Sequence, residues 1–187
     1  IISAGTAMDE SNLNAKEANY LFAYVPAGND AAFAVADVTT GYLAVWRSSV
    51  QAFECEFSRR MPKEIVVPEG VEIPSSIMDM VKADNVLVTQ IPEFMFGEEQ
   101  SRDVLFSHFK VESLVGLGLD GRECETEVAG ALMAYLMDQK KSELSHFTTL
   151  EILNLDDYMT LDPSTLRNLE LTRPLNADDY SSTLCSV

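Results

Sequence analysis

A nuclease that works through two metal ions needs carboxylates gathered at one place, with one projecting from the first strand of its sheet. Here the first strand-forming run, Asn19 to Val25, holds no acidic residue. Asp37 closes the second such run and is the carboxylate of that region best placed for a metal role. Its position before Thr39, Thr40 and Gly41 reads more simply as a turn cap. His108 and His146 are isolated. The first lies in an aromatic helix, Phe106-Ser-His-Phe109, and reads as a surface or satisfied packing residue. The second follows a helix, where an imidazole can meet carbonyl ends. Cys55, Cys124 and Cys185 are far apart, with no CxxC and no neighbouring histidine, so neither a zinc site nor a disulfide framework is expected. The default compartment is then a reducing one, the cytoplasm. No GxxxxGK[ST] occurs. Gly116-Leu-Gly118-Leu-Asp-Gly121 lacks the full GxGxxG and reads as a flexible or tightly turned link, not a phosphate cradle.

Charge narrows the classes further. The 187 residues include 13 basic and 30 acidic side chains, for a net charge of −17. A self-sufficient nucleic-acid binder needs a basic surface from which phosphates release counterions, and the longest basic runs here are pairs, Arg59-Arg60 and Lys140-Lys141. Acidic doublets such as Glu98-Glu99, Asp156-Asp157 and Asp178-Asp179 read as solvated surface, or as ground for a basic partner. With 47% apolar residues the chain should fold, yet no run reaches the ~18 uncharged residues of a membrane helix. Neither terminus has the look of a natural end, which leads to the expectation of a piece of a longer protein.

The elements that must position these residues follow from periodicity. Asn19–Val25, Ala31–Val38 and Tyr42–Trp46 read as strands joined by short turns, hence an antiparallel meander, with Pro26 ending the first. Ser48 and Gln51 have capping-box spacing, and Val50, Phe53, Phe57 and Met61 form one buried helical stripe that Pro62 ends. A strand over Glu64–Val67, a helix from Pro74 through Met80, a strand over Asn85–Thr89 and a helix over Glu98–Phe109 follow. Alternation in this half implies parallel pairing. The order predicts an α/β fold, a mixed five-stranded sheet with flanking helices, as in the ribonuclease H-like fold. Beyond it, Glu123–Lys141 is the clearest helix, with Val128, Leu132, Tyr135 and Leu136 on one face, acids at its start and lysines at its end. Thr148–Leu155 reads as a strand or extended connector. Pro163 then opens a helix over Ser164–Leu171, the start of a partial all-helical segment.

Particular residues carry a resemblance. Ile1-Ile-Ser-Ala-Gly-Thr6 resembles the hTPGT lead-in to the second domain of the MutS family, the DNA mismatch-recognition ATPases. Asn19-Tyr-Leu-Phe-Ala23 is similar to that domain's first strand. Ala36-Asp37-Val-Thr-Thr-Gly41 resembles its D[IV]STG turn, and Pro62-Lys-Glu-Ile65 its P.E[IL]. Leu161-Asp162-Pro-Ser-Thr-Leu-Arg167-Asn168-Leu-Glu170-Leu171 resembles the RNLEL element that opens the helical core, and Leu184-Cys-Ser-Val187 the stretch after it. The matches run in family order across essentially the whole chain. Ser3-Ala4 departs from the usual Thr-Pro, and Leu166 from the usual arginine.

The resemblance implies a connector domain over 1–115, and over 116–187 a linker helix with the beginning of the core domain. It implies a non-catalytic segment, coupling mismatch and ATP state to recruitment of a MutL-type partner. Asp37, Gly41, Asp162, Arg167, Asn168 and Glu170 would be its motif residues, with Arg167, Asn168 and Glu170 fixing the start of the core helix. ATP and Mg²⁺ belong to other parts of the full-length protein, as do the dimer partner and mismatched DNA. Rotation of the sheet domain is expected at the joint over 116–121. Two alternatives stand beside this: a metal-dependent ribonuclease H-like nuclease, with Asp37 within about 4 Å of another acid, and a protein-interaction domain unrelated to repair.

Overall fold

The computed structural model describes residues 19–140 and 144–154. Three strands, β1 (Tyr20–Ala27), β2 (Asp30–Asp37) and β3 (Tyr42–Ser48), form the meander, and helix α1 (Val50–Arg60) follows. Then come β4 (Glu64–Pro68), α2 (Ser75–Ala83), β5 (Leu87–Ile91), a 3-10 turn (Glu93–Phe96), α3 (Glu98–Phe109), a second 3-10 turn (Leu114–Leu117), α4 (Glu123–Lys140) and β6 (Glu151–Ile152). The sheet order is β5-β4-β1-β2-β3-β6. β2 is antiparallel to both neighbours, and the remaining pairs are parallel.

Three expectations are corrected. The sheet has six strands, not five, because the chain after α4 returns to pair Glu151 and Ile152 with Ala44 and Val45. The pair lies within Thr148–Leu155, which reads as a strand or an extended connector, and two residues are too few for periodicity to decide between them. Pro26 does not end β1, which runs to Ala27. The β4 ladder reaches only Ala23, so Pro26 sits where β1 has no neighbour on that side and the missing N–H costs no ladder bond. The cap of α1 is Ser49, whose Oγ accepts from Ala52 N at 3.4 Å, because Ser48 is still paired with Ala31 in the sheet.

Side-chain alternation splits the core into two layers. Phe22, Phe33 and Trp46 face α1 and α2, where Phe33 stacks on Phe53 with ring centroids 4.1 Å apart. On the other face β2 shows only Ala32, Ala34 and Ala36, and α4 lies against it. Val128, Leu132, Tyr135 and Leu136 are buried as expected, but so are Ala129, Ala131 and Met133. α4 is therefore no half-exposed linker; the sheet covers one side and α3 another. The α3–α4 contact is close, since a Cβ on Gly130 would fall 2.3 Å from the Ser101 Cβ.

One polar tie crosses this layer. Glu64 on β4 is fully buried, and its Oε1 accepts from Thr89 Oγ1 on β5 and from the Tyr135 hydroxyl on α4, each at 2.6 Å. Removing a donor to a buried carboxylate costs about 1.5–3 kcal/mol. Tyr135→Phe should lower the unfolding free energy by that amount in a urea titration, with the far-UV spectrum of the folded state unchanged.

Candidate functional site

The turn between β2 and β3 is built around Asp37. Its Oδ1 accepts from Thr39 N at 2.9 Å and Asn19 N at 3.2 Å, and its Oδ2 from Thr40 Oγ1 at 2.8 Å. Gly41 N closes the turn on the Asp37 carbonyl at 2.9 Å. Both carboxylate oxygens are thus engaged by the loop. Among the described residues no three His, Cys, Asp or Glu side chains come together as a metal would require.

Gly41 has a second duty that its turn did not disclose. At φ +76° it lies so close to the segment after α4 that a Cβ would fall 2.3 Å from the His146 carbonyl oxygen. His146 Nε2 donates back to the Val38 carbonyl at 2.9 Å, and His108 Nε2 on α3 donates to the Phe147 carbonyl at 2.8 Å. The carbonyl partners require the proton on Nε2 in both rings. His146 thus ties the segment before β6 to the β2–β3 turn, and His108 ties it to α3. His146 does meet a carbonyl, as its position suggested, but that of the β2–β3 turn and not of a helix end.

A second cluster fastens α1 and β6. Arg60 lies over the rings of Tyr20 and Tyr42, 5.3 and 5.1 Å from their centroids, and its Nε reaches Glu56 at 3.0 Å. Burial pulls the guanidinium down, but Tyr42 and Glu56 outweigh it and leave its pKa above the ordinary value. The Tyr42 phenol is pushed up, by burial first and then by Glu151, against the opposing pull of Arg60.

The loop over 114–122 is the tightly turned form of the expected link. Leu119 is fully buried, its N–H donates to Leu114 O at 3.0 Å, and its carbonyl accepts from Arg122 N at 3.0 Å. Beyond it α4 packs on the same sheet. Beside it Arg47, Asp120, Arg122, Glu123, Cys124 and Glu125 line an open polar recess of about 420 Å³. The Cys124 thiol is pushed up by burial and then by Glu127, the opposite of a reactive cysteine. Asp162, Arg167, Asn168 and Glu170 lie outside the described residues.

Cation pairing gives the surface its character. Each of the five arginines among the described residues is within ion-pair distance of a carboxylate: Arg47 with Asp30, Arg59 and Arg60 with Glu56, Arg102 with Glu98, Arg122 with Glu125. Acid remains in excess. Burial, then Glu98 and Glu123, raise the pKa of Glu127 above its ordinary value.

A sheet meander continued by parallel strands, with a capped Asp–Gly turn and the long helix docked on it, defines a mixed α/β domain with helices on its sheet. Residues 19–148 match the family model for MutS domain II. Along its whole length the chain is 31% identical to the DNA mismatch repair protein MutS of Symbiobacterium thermophilum, covering 22% of that protein. It is 32% identical to that of Lachnoclostridium phytofermentans, covering 20%, and 28% identical to that of Methanococcoides burtonii, covering 22%. The chain belongs to the MutS family, carries its domain II, and spans about a fifth of the length of these relatives.

Two expectations follow from this geometry. Gly41→Ala should destabilise by roughly 3 kcal/mol or more, combining left-handed backbone strain with a backbone clash, whereas Gly28→Ala, at φ +69° with open space around it, should cost about 1–2 kcal/mol in the same denaturant assay. For Glu127, a raised folded pKa means stability that is present below the unfolded value of 4.5 and lost as pH rises through the folded value. Glu127→Gln should therefore raise the unfolding free energy at pH 7, by less than about 1 kcal/mol given its partial exposure, and the difference should vanish below about pH 4.

Proposed function

We propose that this chain is the connector segment of a DNA mismatch-recognition ATPase, a non-catalytic body that couples mismatch and ATP state to recruitment of a MutL-type partner. The observation that carries the reading is the pairing of every described arginine with a carboxylate on a strongly acidic chain. Such a surface favours a protein partner over phosphates. The engagement of both Asp37 oxygens in a turn supports a non-catalytic role. The strand order β5-β4-β1-β2-β3, with β2 antiparallel to both neighbours, supports the ribonuclease H-like assignment.

In this reading the connector is the sheet with its four helices, and the helical core domain begins in the later part of 116–187, with Asp162, Arg167, Asn168 and Glu170 at its start. ATP and Mg²⁺ act elsewhere in the full-length protein. Among the described residues no three His, Cys, Asp or Glu side chains gather, and the glycine loop is closed by its own hydrogen bonds. Mismatched DNA and the dimer partner are likewise met through the full-length chain, in the cytoplasm. No helix among the described residues is long and apolar enough to cross a membrane.

The test is a calorimetric titration of this chain with the MutL-type protein of the same organism, at two salt concentrations, with a DNA duplex as control. Binding to the protein, weakened by salt and absent with DNA, is the expected result. Binding to the duplex with the protein inert would overturn the reading.

A further inference from the structure

The two edges of the sheet are treated differently. β6 is two residues long and carries Glu151, so that edge is blunted. β5 is five residues, Leu87-Val-Thr-Gln-Ile91, with neither a charge nor a proline. Its parallel ladder fixes where its backbone points. Leu87 N donates to Lys63 O at 3.0 Å, and Ile91 O accepts from Glu69 N at 2.9 Å, so Leu87, Thr89 and Ile91 face β4. Alternate residues of a parallel strand face opposite neighbours, and Val88 and Gln90 therefore turn their N–H and C=O groups outward. Among the described residues no hydrogen bond takes these groups up.

Two of the three large apolar side chains most exposed among the described residues flank the same edge. Leu87 opens the strand at 42% exposure, and Phe94, in the 3-10 turn just after it, is 70% exposed. Charge is arranged along the strand as well. Lys63 lies beside the Leu87 end, while exposed Glu69 and Glu93 flank the Ile91 end without an ion pair among the described residues.

We propose that the outer edge of β5, unpaired among the described residues, is a docking site for an extended, basic segment of another protein, which adds a further strand to the sheet. Main-chain bonds to Val88 and Gln90 hold the segment, its apolar residues cover Leu87 and Phe94, and its basic residues lie by Glu69 and Glu93. The occupant is a basic segment and not a second copy, because two chains of net charge −17 repel. The surface lies on the sheet edge opposite β6 and does not depend on which partner the whole protein recruits.

The probe is a capped six-residue peptide of alternating valine and threonine ending in two lysines, titrated into the isotopically labelled chain. Its control ends in two glutamates. The lysine peptide should slow amide exchange at Val88 and Gln90, while Leu87, Thr89 and Ile91 keep their existing protection. Gln90→Pro removes an outward N–H and leaves the β4 ladder intact. It should weaken the peptide at least tenfold with an unchanged unfolding midpoint. Phe94→Ser, at an exposed site, should weaken it by a smaller factor. Equal binding of both peptides, or unchanged binding by Gln90→Pro, would sink the proposal. So would a dimer in sedimentation equilibrium that protects the same two amides, since the edge would then serve a second copy.

Discussion

Helix α4 lies against a strip of alanine, and the rest of the molecule is arranged around that contact. Ala32, Ala34 and Ala36 leave the middle of the sheet flat enough for Val128, Leu132 and Leu136 to sit close to the strands. Because α4 also buries Ala129, Ala131 and Met133, one covered side is not enough. α3 supplies another, at a separation that only Gly130 permits beside Ser101. A helix so enclosed cannot swing away from the sheet without exposing a large apolar surface. The sheet, α3 and α4 therefore move as one body.

That enclosure explains the polar contacts around it. Glu64 is carried into the interior by β4, and burial of a lone carboxylate would be prohibitive; Thr89 and Tyr135 donate to it there. The chain leaving α4 has to cross the β2–β3 turn to reach the edge of β3. Gly41 makes room for it, His146 ties it to that turn, and His108 ties it to α3. The Asp37 turn is thus a structural junction, where a local motif and a segment over a hundred residues later hold each other.

For a connector, rigidity of this kind has a use. A body that transmits rearrangement between distant sites must keep its own shape while its neighbours shift. The short 114–122 loop, closed by Leu119, adds to that stiffness. The surface is acidic, with each described arginine paired to a carboxylate, and the uncharged β5 edge stands out against it.

Much of this was legible in the residues. Strand and helix types, the end of α1 near Met61, the span of α3 at Glu98–Phe109 and the turn chemistry of Asp37 follow from local periodicity, caps and turn preferences. The absence of an acid in β1 was equally plain. The MutS resemblance was legible in motif residues of a chain about 30% identical to its relatives. Other features had no local signature. β6 is two residues long and is held only by β3; Pro26 stays in its strand because β4 stops short; Glu64 sits in a strand-forming run, but its two hydroxyl donors come from β5 and α4. Gly41 marked a turn but not its contact with His146. Local sequence determines the backbone preferences of a few consecutive residues, whereas ladder ends, buried polar partners and close approaches depend on residues distant in sequence, and only the packed tertiary structure decides them.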